Sequence, residues 1–214
     1  MATLTSTPKR VLAGIAAAAV LVVPLASCGS DESSAPEPVA AIDDLSGEST
    51  AIALDKGFTD ALTSLKLTPG VTGSAKLTDG SLIFPITGGN VSVFEPGSVP
   101  NYVVGQIQHE GSGLSLSAGG TKVLLTNFNV DPGVSRVYGD VTVNGKVAAT
   151  SAYLFQLNGS TLKPLQTKGK TAILQGTKVL ISKVAAPLLN DTFKTDAVKP
   201  GLLVGVAKIT VNTK

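Results

Sequence analysis

The sequence predicts a mainly β protein: an antiparallel, two-sheet, sandwich-like domain with a short helix near each end. Three observations predict it. Short runs rich in Val, Ile and Leu recur along the chain, separated by clusters of Gly, Asn, Asp and Pro. Asp79-Gly80 and Asn144-Gly145 each sit between two such runs, which is the strongest short-range hairpin signal. Apolar residues recur at helical spacing in only two stretches, one at each end of the domain.

The first helix is "LDKGFTDALTSLKLTPGV". Leu54, Phe58, Ala61, Leu62 and Leu65 form one apolar stripe, Asp55 is the N-cap, and "TPG" at 68–70 ends the run. "GSAKL" and "GSLIFPI" then pair as a hairpin about Asp79-Gly80, and "NVSVFEP" is a further strand. In "YVVGQIQHEGSGLSLSAGGTKVLLTNFNVD", Val104, Ile107, Leu114 and Leu116 lie in extended segments, with "EGSG" and "SAGG" as turns. Val123, Leu125 and Phe128 point inward from the strand that follows, and "DPGV" at 131–134 turns the chain. Val137 to Val147 is a second hairpin about Asn144-Gly145. "GTKVLL" at 120–125 recurs as "GTKVLI" at 176–181, each read as a turn followed by a strand. A common strand entry explains the copy as well as duplication does. The second helix covers "SKVAAPLLNDTF", with Ser182 as N-cap, Val184, Leu188 and Leu189 on one face, Phe193 below, and Pro187 tolerated near the first turn. "PGLLVGVAKITVN" closes the domain as a strand.

Ahead of the domain stands a different kind of sequence. Lys9 and Arg10 precede an uncharged apolar run, Val11 to Leu25, of the length of a secretory h-region and too short for a comfortable span. "LASC" follows: Leu25, Ala26, Ser27 and Cys28, which is the one cysteine of the chain. This resembles the lipobox of bacterial lipoproteins. The resemblance implies cleavage between Ser27 and Cys28 and a diacylglycerol on the Cys28 sulfur, whose two acyl chains suffice for stable anchoring. An ordinary signal peptide that leaves Cys28 as a stray thiol is the plainer alternative. Residues 28–49 carry Ser, Pro, Gly and acid without a basic residue, the composition of a flexible tether. The expected organisation is thus a signal at 1–27, a tether at 28–49 and a globular domain at 50–214 that folds without the tether. The protein is expected outside the cytoplasm, anchored to the cell membrane by lipid.

Composition narrows the function. With Lys9 and Arg10 removed, 15 basic side chains balance 15 acidic ones. Six of the acids lie in the tether, which leaves the domain a surplus of bases. They are nearly all single, scattered Lys, as on solvated strand faces and guarded edges. No Arg cluster or basic-aromatic interleaving points to nucleic acid. Without cysteine, the domain has no disulfide and no thiolate metal site. His109 is the one histidine, and no nucleophile elbow, phosphate loop or metal-ligand spacing occurs, so the expectation is a protein that is not an enzyme. His109, in "GQIQHEGSGLSL", has two readings: a strand histidine bonded to a carbonyl or to water, or a ligand contact at an apolar interior.

"FPITGGNVSV", "GQIQHEGSGLSLSAGGTKVLLTNFNVD" and "RVYGDV" together resemble the HtaA-type domain of Gram-positive cell-envelope proteins. The resemblance implies an opening amphipathic helix, two β-sheets and a closing helix. It also implies haem binding, through a tyrosine on the opening helix and a supporting histidine. His109 matches that histidine and Phe58 an aromatic of the pattern. The tyrosine position falls at Ala61, and Gly57 replaces the helix serine. The iron ligand therefore does not carry over, and the expected cofactor is none, haem included. The expectation is a surface lipoprotein that binds a small apolar ligand at the envelope, in a pocket lined by His109, Phe58 and Leu62. The alternative is a structural or adhesive module that meets an envelope protein or wall polymer through a sheet face.

Overall fold

The structure, a computed structural model, describes residues 35–213. Ser27, Cys28 and the whole signal lie outside the described residues. The chain runs as β1 (Ala40–Ile42), β2 (Glu48–Leu54), α1 (Lys56–Ser64), β3 (Thr68–Gly73), β4 (Lys76–Thr78), β5 (Ser81–Pro85), β6 (Gly88–Val93), β7 (Val103–Ala118), β8 (Thr121–Asp131), β9 (Arg136–Val143), β10 (Lys146–Asn158), β11 (Gln166–Lys168), β12 (Thr171–Ile181), α2 (Ala185–Phe193) and β13 (Leu203–Asn212).

The architecture is mainly β with one short helix near each end, as predicted. All strand pairings are antiparallel, but the strands belong to one sheet rather than two. Its order is β1-β6-β7-β8-β9-β10-β12-β13-β2-β5-β4, with β3 added to β7 and β11 to β12. The two layers arise because this sheet curls until β2 and β5 face β7 and β8.

A line of irregularities runs through three strands, β7, β8 and β10. "EGSG" does not turn the chain. Gly111 takes a positive φ of 66° and the register slips between His109 and Gly113, so β7 bulges and continues. Asn127 in β8 and Ser151 in β10 also sit at positive φ. A chain of side-chain hydrogen bonds links them. Gly111 N donates to Asn127 Oδ1 (3.0 Å), Asn127 Nδ2 to Asp140 Oδ2 (2.9 Å), and Ser151 N to Asp140 Oδ1 (3.0 Å). On one side of this line the sheet packs against the helices; on the other it encloses a cavity.

Local signals explain most elements. Asp55 caps α1 by accepting from Gly57 N at 2.8 Å. The two hairpin turns have Asp79 and Gly80, and Asn144 and Gly145, at positive φ, as a type I′ turn requires. Ser182 Oγ accepts from Ala185 N at 2.9 Å at the start of α2. That helix buries Ala185, Ala186 and Leu189, whereas Val184, expected on the buried face, is exposed. "TPG" ends α1 as expected but then enters β3, which pairs with the far half of β7. "GTKVLI" is not a turn and strand: Gly176 lies inside β12, at a bulge.

The folded unit also begins earlier than residue 50. Val39 N donates to Val93 O (2.7 Å), β1 pairs with β6, and Leu45 is only 2 % exposed. Ala40, Ile42 and Leu45 pack this short segment against the core and let it cover a sheet edge.

Candidate functional site

Between the two layers lies a cavity of about 440 Å³, within the range of small-molecule sites, roughly 300–1,000 Å³. The exposed loop residues Asn101 and Ser160, with the half-buried Tyr102, Ser135 and Leu162, stand at its mouth. Its walls are mainly apolar, among them Ile107, Val130, Val137, Leu174, Val204 and Ile209 from β7, β8, β9, β12 and β13, with the half-buried Thr177 of β12 as a polar exception. Among the described residues, no charged side chain lines it.

Two residues make its inner end polar. Thr50 on β2 is 4 % exposed and His109 on β7 is 1 % exposed. His109 Nε2 lies 3.1 Å from Thr50 Oγ1, and Nδ1 lies 2.9 Å from the carbonyl oxygen of Pro85. A carbonyl only accepts, so in the neutral ring Nδ1 carries the proton and Nε2 accepts from the threonine hydroxyl. Burial pushes the imidazole below its ordinary pKa, and the Pro85 and Phe84 carbonyls oppose this without cancelling it.

Strand register explains why these groups meet. Thr50 pairs with Phe84 across β2 and β5, and His109 pairs with Phe128 across β7 and β8. The curl lays one pair on the other. Phe84 then meets Phe128 edge to face at 5.2 Å, Phe128 meets Phe155 at 6.0 Å, and Phe84 stands 6.2 Å from the imidazole. A row of four rings crosses the interior beside the cavity.

Of the residues expected to line one pocket, the structure brings only His109 to the cavity. Phe58 and Leu62 lie on the other side of the bulge line, in the cluster of Leu114, Leu125, Ile181 and Leu189 beneath α1 and α2. An amphipathic helix ending a sheet is recruited to cover its open apolar end, so its stripe becomes core rather than pocket wall. Sequence reasoning missed Thr50 and the three phenylalanines. The signal for Thr50 was available: in "ESTAIAL" it shares an inward phase with Ile52, which makes it a polar residue at a core position.

With this geometry in view, comparison with solved structures is informative about the fold. The C-terminal domain of HtaA from Corynebacterium glutamicum superposes with a TM-score of 0.53 over 80 % of this chain and 98 % of that one, at 14 % identity.

The chain has the HtaA-type fold.

A domain-swapped dimer of a variant of the same HtaA domain matches at a TM-score of 0.49, with 15 % identity over 73 % of this chain and 90 % of that one. The haem-binding protein HtaB of the same organism matches at 0.41, with 7 % identity over 81 % and 96 %. No family model and no curated protein matches the chain.

In this HtaA-type fold α1 carries no tyrosine, and the cavity lining offers one imidazole, His109, and one phenol, Tyr102. Ferric haem is held by an anionic or imidazole ligand. Ala61 faces the cluster beneath α1, and both His109 nitrogens are engaged. Tyr138 and Tyr153 pair with each other at 6.2 Å on the outer face, where the Arg136 guanidinium stacks 4.8 Å from the Tyr153 ring centre. Tyr102 stands at the mouth.

Proposed function

We propose that this domain holds a neutral, apolar small molecule between its layers, without transforming it, on a lipid tether through Cys28 at the cell surface. The observation that carries this reading is the 440 Å³ cavity with mainly apolar walls, no charged lining among the described residues and an open mouth. A core packed to ordinary density has no void of that size, because unfilled apolar volume costs stability. A fold that keeps such a volume is best explained by an occupant. The lining carries no acid or base placed to move a proton, apart from a histidine already bonded at both nitrogens, so binding rather than catalysis is the reading supported. Haem is not proposed as the occupant, because both His109 nitrogens are already hydrogen-bonded and α1 carries no tyrosine.

The test is a pair of titrations of the purified protein. A neutral fluorescent probe that brightens in apolar surroundings should saturate at one equivalent. Haemin should leave the Soret band of free haemin unchanged. A probe that never saturates would remove the cavity reading. A sharp haemin shift at one equivalent, lost in His109→Ala, would replace it with haem binding.

A further inference from the structure

Asn129 Oδ1 is a buried side-chain atom with no hydrogen-bond partner, but Asn129 does not line the cavity, whereas Thr50 does. Five polar side chains are buried among the described residues: Thr50, His109, Ser112, Ser115 and Ser182. Ser112 and Ser182 donate to main-chain carbonyls, of His109 and Tyr153. Only Thr50 and His109 line the cavity. In the neutral imidazole their bond has one direction. Pro85 O accepts from Nδ1, so the unprotonated Nε2 accepts from the Thr50 hydroxyl, which has no further proton to offer. Among the described residues Oγ1 accepts from nothing, and Thr50 lines the cavity.

Building on the cavity reading, we infer that Thr50 Oγ1 is the anchor for the ligand's polar end, and that this end is a hydrogen-bond donor. The ligand class is an apolar body terminating in a hydroxyl, such as a long-chain or polycyclic alcohol. A carboxylate, ester or ketone in the same place would set one acceptor against another in surroundings without water, an arrangement that costs both groups their solvation. Specificity then comes from an unpaired buried acceptor, which discriminates against an analogue lacking the donor more strongly than apolar walls discriminate by size.

The experiment uses a long-chain primary alcohol, its methyl ether and the alkane of equal length, each displacing the neutral probe. Variants are Thr50→Val and Thr50→Ser. Valine places a methyl where Oγ1 stands, removing the acceptor while keeping Nε2 covered. Thr50→Val should weaken the alcohol about tenfold, the scale of one buried hydrogen bond. It should leave the ether and alkane within about twofold, and Thr50→Ser should keep the wild-type order. A second readout needs no variant. The single histidine gives one pair of ring 15N signals, and the alcohol, but not the alkane, should shift Nε2 as it polarises the threonine hydroxyl. Equal loss for all three ligands in Thr50→Val, or an Nε2 signal that responds alike to alcohol and alkane, overturns the anchor and leaves the cavity reading standing. Failure of every ligand, alkane included, to displace the probe overturns the cavity reading and the anchor with it.

Discussion

Asn127 Nδ2 and Asp140 Oδ2 lie 2.9 Å apart, where the regular strand β9 meets the irregularities of β8 and β10. The pair ties together bulges that would otherwise relax separately. Asp140→Ala should cost about 1–2 kcal/mol, because it releases both Asn127 Nδ2 and Ser151 N. Asp140→Asn should retain most of the stability. Urea melts of the three proteins check this, and a loss below about 0.5 kcal/mol for alanine would show that the bulges hold their shape without the bridge.

His109 should make stability depend on pH in one direction. Its pKa is lowered on folding, from an ordinary value of 6.5, so near and below that pH the unfolded chain binds a proton that the folded chain refuses. The His109 contribution is therefore fully present above about pH 6.5 and is lost as pH falls through the folded-state value. Chemical melts at pH 7.5 and 5.0 should show wild type losing more stability on acidification than His109→Gln. Equal losses would mean that the imidazole accepts its proton inside the fold as easily as outside.

Phe58 is 5 % exposed beneath α1, away from the cavity. Phe58→Ala should cost about 3–5 kcal/mol as a core deletion. Probe binding in the cavity should be unchanged at a temperature where the variant stays folded. A loss under about 1 kcal/mol would place Phe58 outside the core.

The segment ahead of residue 50 should matter to stability. Burying Leu45 contributes roughly 1.5–3 kcal/mol, and the pairing of β1 adds to it. A chain beginning at Thr50 should therefore melt several degrees below one beginning at Pro36, at about 2–4 °C per kcal/mol for a domain of this size. Equal midpoints would return these residues to the tether.

Cys28 carries the proposed anchor. Cys28→Ala should move the protein from the membrane fraction to the medium, or leave an uncleaved precursor. Wild type that carries no acyl mass, together with a variant that fractionates as it does, would defeat the proposal.

The sequence by itself determined the fold class, both helices, the two tight hairpins and the inward phase of β8. Each of these is set within a few residues: Asp55 caps its own helix, Asp79-Gly80 and Asn144-Gly145 bend their own turns, and alternation assigns Val123 and Leu125 to one face. It could also place His109 on an inward phase. Only the tertiary structure decided the rest. "EGSG" reads as a turn locally, and becomes a bulge because β8 pairs with β7 both before and after it. A single curled sheet and two separate sheets share the same strand pattern, since curvature lies in how bulges on neighbouring strands align. Phe58 and His109 both face inward, yet they fall on opposite sides of that bend. Thr50 finds His109 59 positions away, a partnership that no local periodicity encodes, because it exists only once the sheet has closed over its own interior.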